Sequence, residues 1–99
     1  MTPEGKIKAA IKRLLAKYKH YGWWPVPCGY GQNSLDWIGC INGKFVAVEA
    51  KAPGKKLTPL QWSTFNRIKE NKGEVFVIDG LESLEQFRRF LDNLVGAHS

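Results

Sequence analysis

Glu49, Ala50 and Lys51 close one apolar run, and Asp36 stands near the start of the run before it. The later run reads Lys44-Phe45-Val46-Ala47-Val48-Glu49-Ala50-Lys51, and the earlier one Leu35-Asp36-Trp37-Ile38-Gly39-Cys40-Ile41. Asn42-Gly43 joins them. Asn-Gly between apolar runs predicts a β-hairpin, because both turn positions need positive φ. Strand side chains alternate faces, so Glu49 and Lys51 share one side, a pleat apart. Ordinary hairpin twist brings the Asp36 carboxylate beside Glu49. Two carboxylates and an ammonium at one end of a hairpin make a site for a hard cation. The lysine beside them can activate water or hold a phosphate. This is chemistry suited to cutting a phosphodiester.

The remaining elements must position that hairpin. Thr2-Pro3-Glu4 has the grammar of a helix start: N-cap, proline at the first helical position, acid in the first turn. Ile7, Ile11, Leu14 and Tyr18 follow as an apolar stripe at helical spacing, with lysines crowding the other faces. Glu4 lies three residues before Ile7, on the stripe itself. A carboxylate there either finds a partner or stays half exposed and favours the helix dipole. Gly22-Trp23-Trp24-Pro25-Val26-Pro27 reads as a short extended segment, placed by its prolines at a sheet edge. Gly29-Tyr30-Gly31-Gln32-Asn33-Ser34 is a glycine-rich loop. A strand follows it rather than a helix, so it is no nucleotide-binding fingerprint.

Beyond the basic turn Ala52-Pro53-Gly54-Lys55-Lys56, Thr58 and Pro59 open a second helix. Phe65 and Ile68 mark its apolar face, with Gln61 one turn earlier as an amide in need of a partner. Trp62 reads as a core packing residue in preference to a base-stacking one. Glu74-Val75-Phe76-Val77-Ile78-Asp79 reads as an interior strand. Leu84, Phe87, Leu91 and Leu94 predict a third helix ending near Gly96. The expected order is αβββαβα, an α/β fold in one domain spanning 1–99, with strands 44–51 and 74–79 parallel.

Composition narrows the function. A chain of 99 residues with 43% hydrophobic residues builds one core, and no apolar run reaches the length of a membrane span. With no signal-peptide pattern, a cytoplasmic setting is expected. Cys28 and Cys40 lack the spacing of a zinc site and read as buried or half-buried thiols, unpaired in a reducing compartment. The net charge of +6 is uneven: residues 1–72 carry +9 and residues 73–99 carry −3. Glu4, Asp36 and Glu49 are three of the four acids in the basic part. A basic surface around a small acidic centre suits a polyanion and a bound cation.

Asp36-Trp37-Ile38-Gly39-Cys40, Asn42-Gly43, Glu49-Ala50-Lys51-Ala52-Pro53-Gly54-Lys55 and Thr58-Pro59-Leu60-Gln61 resemble the VRR-NUC family. These virus-type replication–repair nucleases are a branch of the PD-(D/E)xK superfamily. The likeness runs from Glu4 to Gly80; Leu35 stands where the superfamily motif has its proline. It implies a restriction-endonuclease-like core, a mixed central sheet flanked by helices, and Mg²⁺- or Mn²⁺-dependent hydrolysis of DNA. Carried over by motif, Asp36, Glu49, the Ala50 carbonyl and the helical Glu4 would face the metal. Lys51 would orient or activate water, and Gln61 would support the site by hydrogen bonding.

Small stand-alone members resemble Holliday-junction resolving enzymes of bacteria and phages, which implies a role in DNA repair. Two symmetric cuts also ask for two sites, which a homodimer of a small chain supplies. Branched DNA would be recognised by shape through phosphate contacts, for which Lys6, Lys12, Arg13, Lys55 and Lys56 are the candidates. A flap- or end-directed nuclease, a restriction-like nuclease, a non-catalytic DNA-binding module and a protein-interaction domain stay open as alternatives.

Overall fold

A computed structural model describes residues 1–26 and 35–95 as a mixed α/β fold with one four-stranded mixed sheet and three helices. The elements run α1 (Pro3–Leu15), β1 (Tyr21–Trp23), β2 (Trp37–Ile41), β3 (Lys44–Ala50), α2 (Pro59–Glu70), β4 (Glu74–Ile78) and α3 (Leu81–Val95). The sheet order is β1-β2-β3-β4, antiparallel across the first two pairings and parallel between β3 and β4. Among the described residues, no helix is long and apolar enough to cross a membrane. The readings made for Cys28, for the glycine-rich loop and for Gly96 fall outside the described residues.

The hairpin forms as its turn residues require. Asn42 and Gly43 both have positive φ, at 50° and 83°, and their strands pair from Ile41–Lys44 through Trp37–Val48. Alternation along β2 and β3 then sorts their side chains between two layers. Trp37, Ile41, Val46, Val48 and Ala50 join Ile11, Leu14 and Leu15 of α1 and Phe87 and Leu91 of α3 in the main core. The indole of Trp37 lies against Gly22 and Gly39, where an added Cβ would come within 2.3 and 2.4 Å of its ring. Both positions therefore need glycine, one on each of two paired strands. Leu35, Ala47 and Val75 form a smaller cluster on the opposite face, with Ile38, Phe65 and Ile68 packed on it.

The structure corrects several expectations. The 74–79 segment is an edge strand, since β4 pairs with β3 alone; α2 and α3 cover its faces, which explains its apolar sequence. Trp62 is 48% exposed and touches the ring of Phe65 instead of entering a core. Indeed, α2 has no fully buried residue. Cys40 is a free, exposed thiol, paired in register with the exposed Tyr21 of the edge strand β1.

Candidate active site

The carboxylates meet where β2 begins and β3 ends, just past the last paired residues Trp37 and Val48. There side chains continue the ladder. The Asp36 backbone N–H donates to Glu49 Oε1 at 3.1 Å, and the Ala50 N–H donates to Asp36 Oδ2 at 2.8 Å. Each carboxylate is thus locked by the other strand's backbone. In an extended strand the N–H and C=O of one residue face the same side, so the Ala50 carbonyl also faces the Asp36 side of β3.

Helix α2 supplies the next partner through its own capping. Thr58 Oγ1 accepts the Gln61 N–H at 3.2 Å, and Gln61 Oε1 accepts the Thr58 N–H at 3.0 Å, a reciprocal capping box. With its oxygen held there, the amide nitrogen of Gln61 donates to Glu49 Oε2 at 2.8 Å. The same pairing that starts the helix fixes which way this amide points. Lys51, two residues on from Glu49, places its ammonium 3.6 Å from Glu49 Oε2, with only 12% of its side chain exposed.

Glu49 is 4% exposed, the one charged residue in the buried set of the described chain. Burial pushes its carboxyl up to about 7; the Asp36 charge pushes the same way, and Lys51 opposes both. An acid raised first by burial and then by a second acid marks a candidate functional group.

Helix α1 brings in one residue that the sequence reading missed. Lys8 Nζ lies 3.5 Å from Glu4 Oε2, one helical turn back, and 3.5 Å from Asp36 Oδ1. Burial pulls the Lys8 ammonium down, but Asp36 and then Glu4 outweigh it and hold it above its ordinary value. Glu4 therefore reaches the site through Lys8, and it remains half exposed. Among the described residues, no group of three His, Cys, Asp or Glu side chains is gathered around one point. The signal for Lys8 was present in the sequence as a Glu–Lys pair four residues apart, submerged among the other lysines of the helix.

The five basic residues expected to meet phosphate are all exposed. Lys6 and Arg13 border grooves shared with α3, whereas Lys12 sits over the Trp24 ring, 5.3 Å from its centre. Lys55 and Lys56 lie in the turn between Lys51 and α2, nearest in sequence to the carboxylates. Compared with known proteins, the chain matches no family model and no curated protein.

Proposed function

We propose that this chain is a metal-dependent, structure-selective DNA endonuclease of the VRR-NUC kind, acting on branched DNA and on four-way junctions first, as a homodimer. The observation that carries the reading is the convergence of Asp36, Glu49 and Lys51, with Gln61 fixing Glu49 from a second element. The αβββαβα order and mixed sheet support a restriction-endonuclease-like PD-(D/E)xK core. The net charge of +6 supports a polyanionic substrate.

The donor set fits Mg²⁺ or Mn²⁺. Asp36 and Glu49 offer carboxylate oxygens, the Ala50 carbonyl faces the same side of β3, and the raised Glu49 carboxyl marks uncompensated negative charge. When bound, such an ion polarises a phosphoryl oxygen and acidifies a water. The chain's own residues do the rest. The backbone of β2 and β3 holds the two carboxylates in register. Gln61 takes one lone pair of Glu49 Oε2 and thereby fixes the direction of the others. Lys51 can orient the attacking water and counter the charge that grows on the phosphate oxygens. Lys55 and Lys56 are placed to meet a flanking phosphate, a contact that carries no sequence information.

The test is cleavage of a labelled four-way junction in Mg²⁺ and in Mn²⁺, beside matched linear duplex and flap substrates. Paired symmetric cuts are expected from the wild type. Lys51→Ala should lower the rate by about 10³-fold, the scale of one preorganised charge-stabilising group, while leaving junction binding intact. Cutting only of flaps or ends would keep the nuclease and remove the resolvase. Binding without cutting of any substrate would leave a DNA-binding module.

A further inference from the structure

We propose that Lys8 is a built-in cation of the active site: its ammonium takes the place between Glu4 and Asp36 that a second divalent ion would need. Each chain then takes up a single ion, at Asp36 and Glu49. This rests on the metal-dependent reading of the site given above.

The geometry is that of an ion bridging two ligands from different elements. Glu4 belongs to α1 and Asp36 immediately precedes β2, and one Nζ stands 3.5 Å from an oxygen of each. The two oxygens of Asp36 are thereby divided. Oδ2 accepts the Ala50 N–H on the Glu49 side, and Oδ1 faces Lys8. A second ion held by Glu4 and Asp36 would have to displace the ammonium from Oδ1 or sit against it, charge against like charge. The Glu–Lys spacing of one helical turn, with the acid on the N-terminal side, favours this placement of Lys8 before any substrate arrives.

Charge accounting points the same way. Glu4, Asp36 and Glu49 bring three negative charges when ionised, and Lys8 and Lys51 bring two positive ones. One divalent ion then leaves the cluster with a single positive charge, matched by one phosphodiester. Two ions beside both lysines would leave an excess that the phosphodiester does not neutralise, next to a nearly sealed carboxylate. Lys8 and Lys51 also differ in a telling way. The Lys51 side chain is 12% exposed and its ammonium pairs with Glu49, whereas Lys8 is 38% exposed and has an acid on each side. Lys51 is set for the reacting groups and Lys8 for the resident charge.

The decisive experiment counts ions rather than turnover. Equilibrium dialysis of the full chain against Mn²⁺ should give one ion per wild-type chain, with any second uptake at least tenfold weaker. Lys8→Met should bind two, the second lost again on adding Glu4→Gln, and Lys8→Arg should stay at one. The electron paramagnetic resonance spectrum of Lys8→Met should show exchange coupling between neighbouring Mn²⁺ ions, absent from the wild type. Coupling needs two ions within about 4 Å, the spacing of two-metal sites, so a merely structural role for Lys8 would not produce it. Two ions in the wild type, or one ion still in a folded Lys8→Met chain, would overturn the assignment of Lys8 while leaving the nuclease reading standing. No ion in the wild type would overturn both.

Discussion

On the face of the sheet covered by α1 and α3, eleven buried residues form one apolar cluster, with Trp37 and Phe87 as its largest side chains. On the face covered by α2, Leu35, Ala47 and Val75 are the residues buried in the core among those described, and Glu49 is sealed in beyond Ala47 on β3. The two faces share the same strands, and alternation along β3 alone assigns Val48 and Ala50 to one and Glu49 to the other. A buried acid raised by its surroundings opposes folding, so it needs a stable scaffold beneath it. The dry face supplies that scaffold. The thin face leaves the end of β3 within reach of polar groups from α1 and α2.

Two phenylalanines put this contrast to the test. Phe87 is fully buried on the dry face and stacks against Phe76, 4.8 Å between ring centres. Phe65, on the sheet-facing side of α2, is half-buried. Phe87→Ala should cost about 4 kcal/mol in urea unfolding, the range for deleting a buried aromatic ring. Phe65→Ala should cost about 1–2 kcal/mol, because less surface leaves water on folding at that position. Equal losses would mean that the thin face carries as much of the stability as the dry one, and the division would fail.

How far the sequence foretold this division depends on how local each signal is. Asn42-Gly43 fixed the hairpin, and period-two alternation placed Glu49 opposite Val48 and Ala50, because both effects act over a few residues. Thr58, Pro59 and Gln61 marked the start of α2, and the capping box is what presents Gln61 to Glu49. The expectation of an interior strand at 74–79 failed for a different reason. Apolar residues on both faces of β4 report covering helices, and no sequence pattern distinguishes such cover from a second neighbouring strand. Trp62 failed because its partner is Phe65 on its own helix, a contact that leaves the indole facing solvent. Lys8 was hidden because its meeting with Asp36 spans from the first helix to the second strand, where helical spacing gives no guidance. Local rules brought Asp36, Glu49, Lys51 and Gln61 within reach of one another on paper, whereas the contacts between elements had to be seen.

The contrast sharpens with pH. The Glu49 carboxyl stands at about 7 in the folded chain, first through burial and then through Asp36, against an ordinary value of 4.5. Between those two values the folded chain holds a proton that the unfolded chain has released. The contribution to stability is therefore complete below about pH 4.5 and is lost as pH rises through 7. Without metal, unfolding free energy should fall by about 3 kcal/mol from pH 5 to pH 8, and Glu49→Gln should flatten the curve. If the proposed site takes up Mn²⁺ in its ionised folded form, the ion added at pH 8 should restore about 2.7 kcal/mol at a hundredfold excess over its dissociation constant. Urea melts at the two pH values, with chelator and with Mn²⁺, make the measurement. A flat wild-type curve would show that the thin face does not hold Glu49 in a costly environment.

The smallest effect is expected where the ion pairs look strongest. Along the groove between α1 and α3, Arg88 pairs with Glu85 and Asp92, and Arg89 pairs with Glu85. Hydrogen bonding from Arg88 holds the Glu85 carboxyl down at about 2, so its stabilising effect is present above pH 4.5 and is lost as pH falls through 2. That window lies below the one in which Glu49 titrates, so the two effects separate on a single pH series. These side chains remain in contact with water, where solvent screens the charges and ordering two long side chains offsets the attraction. Arg88→Ala should therefore move the urea midpoint at pH 7 less than Phe65→Ala does, even though its contacts are closer than any that Lys8 or Lys51 makes. A larger shift would assign real stability to these half-exposed pairs along α3. The expected small one would separate two kinds of ion pair in one chain: close pairs that solvent screens, and longer ones held against the buried Glu49 and its neighbour Asp36.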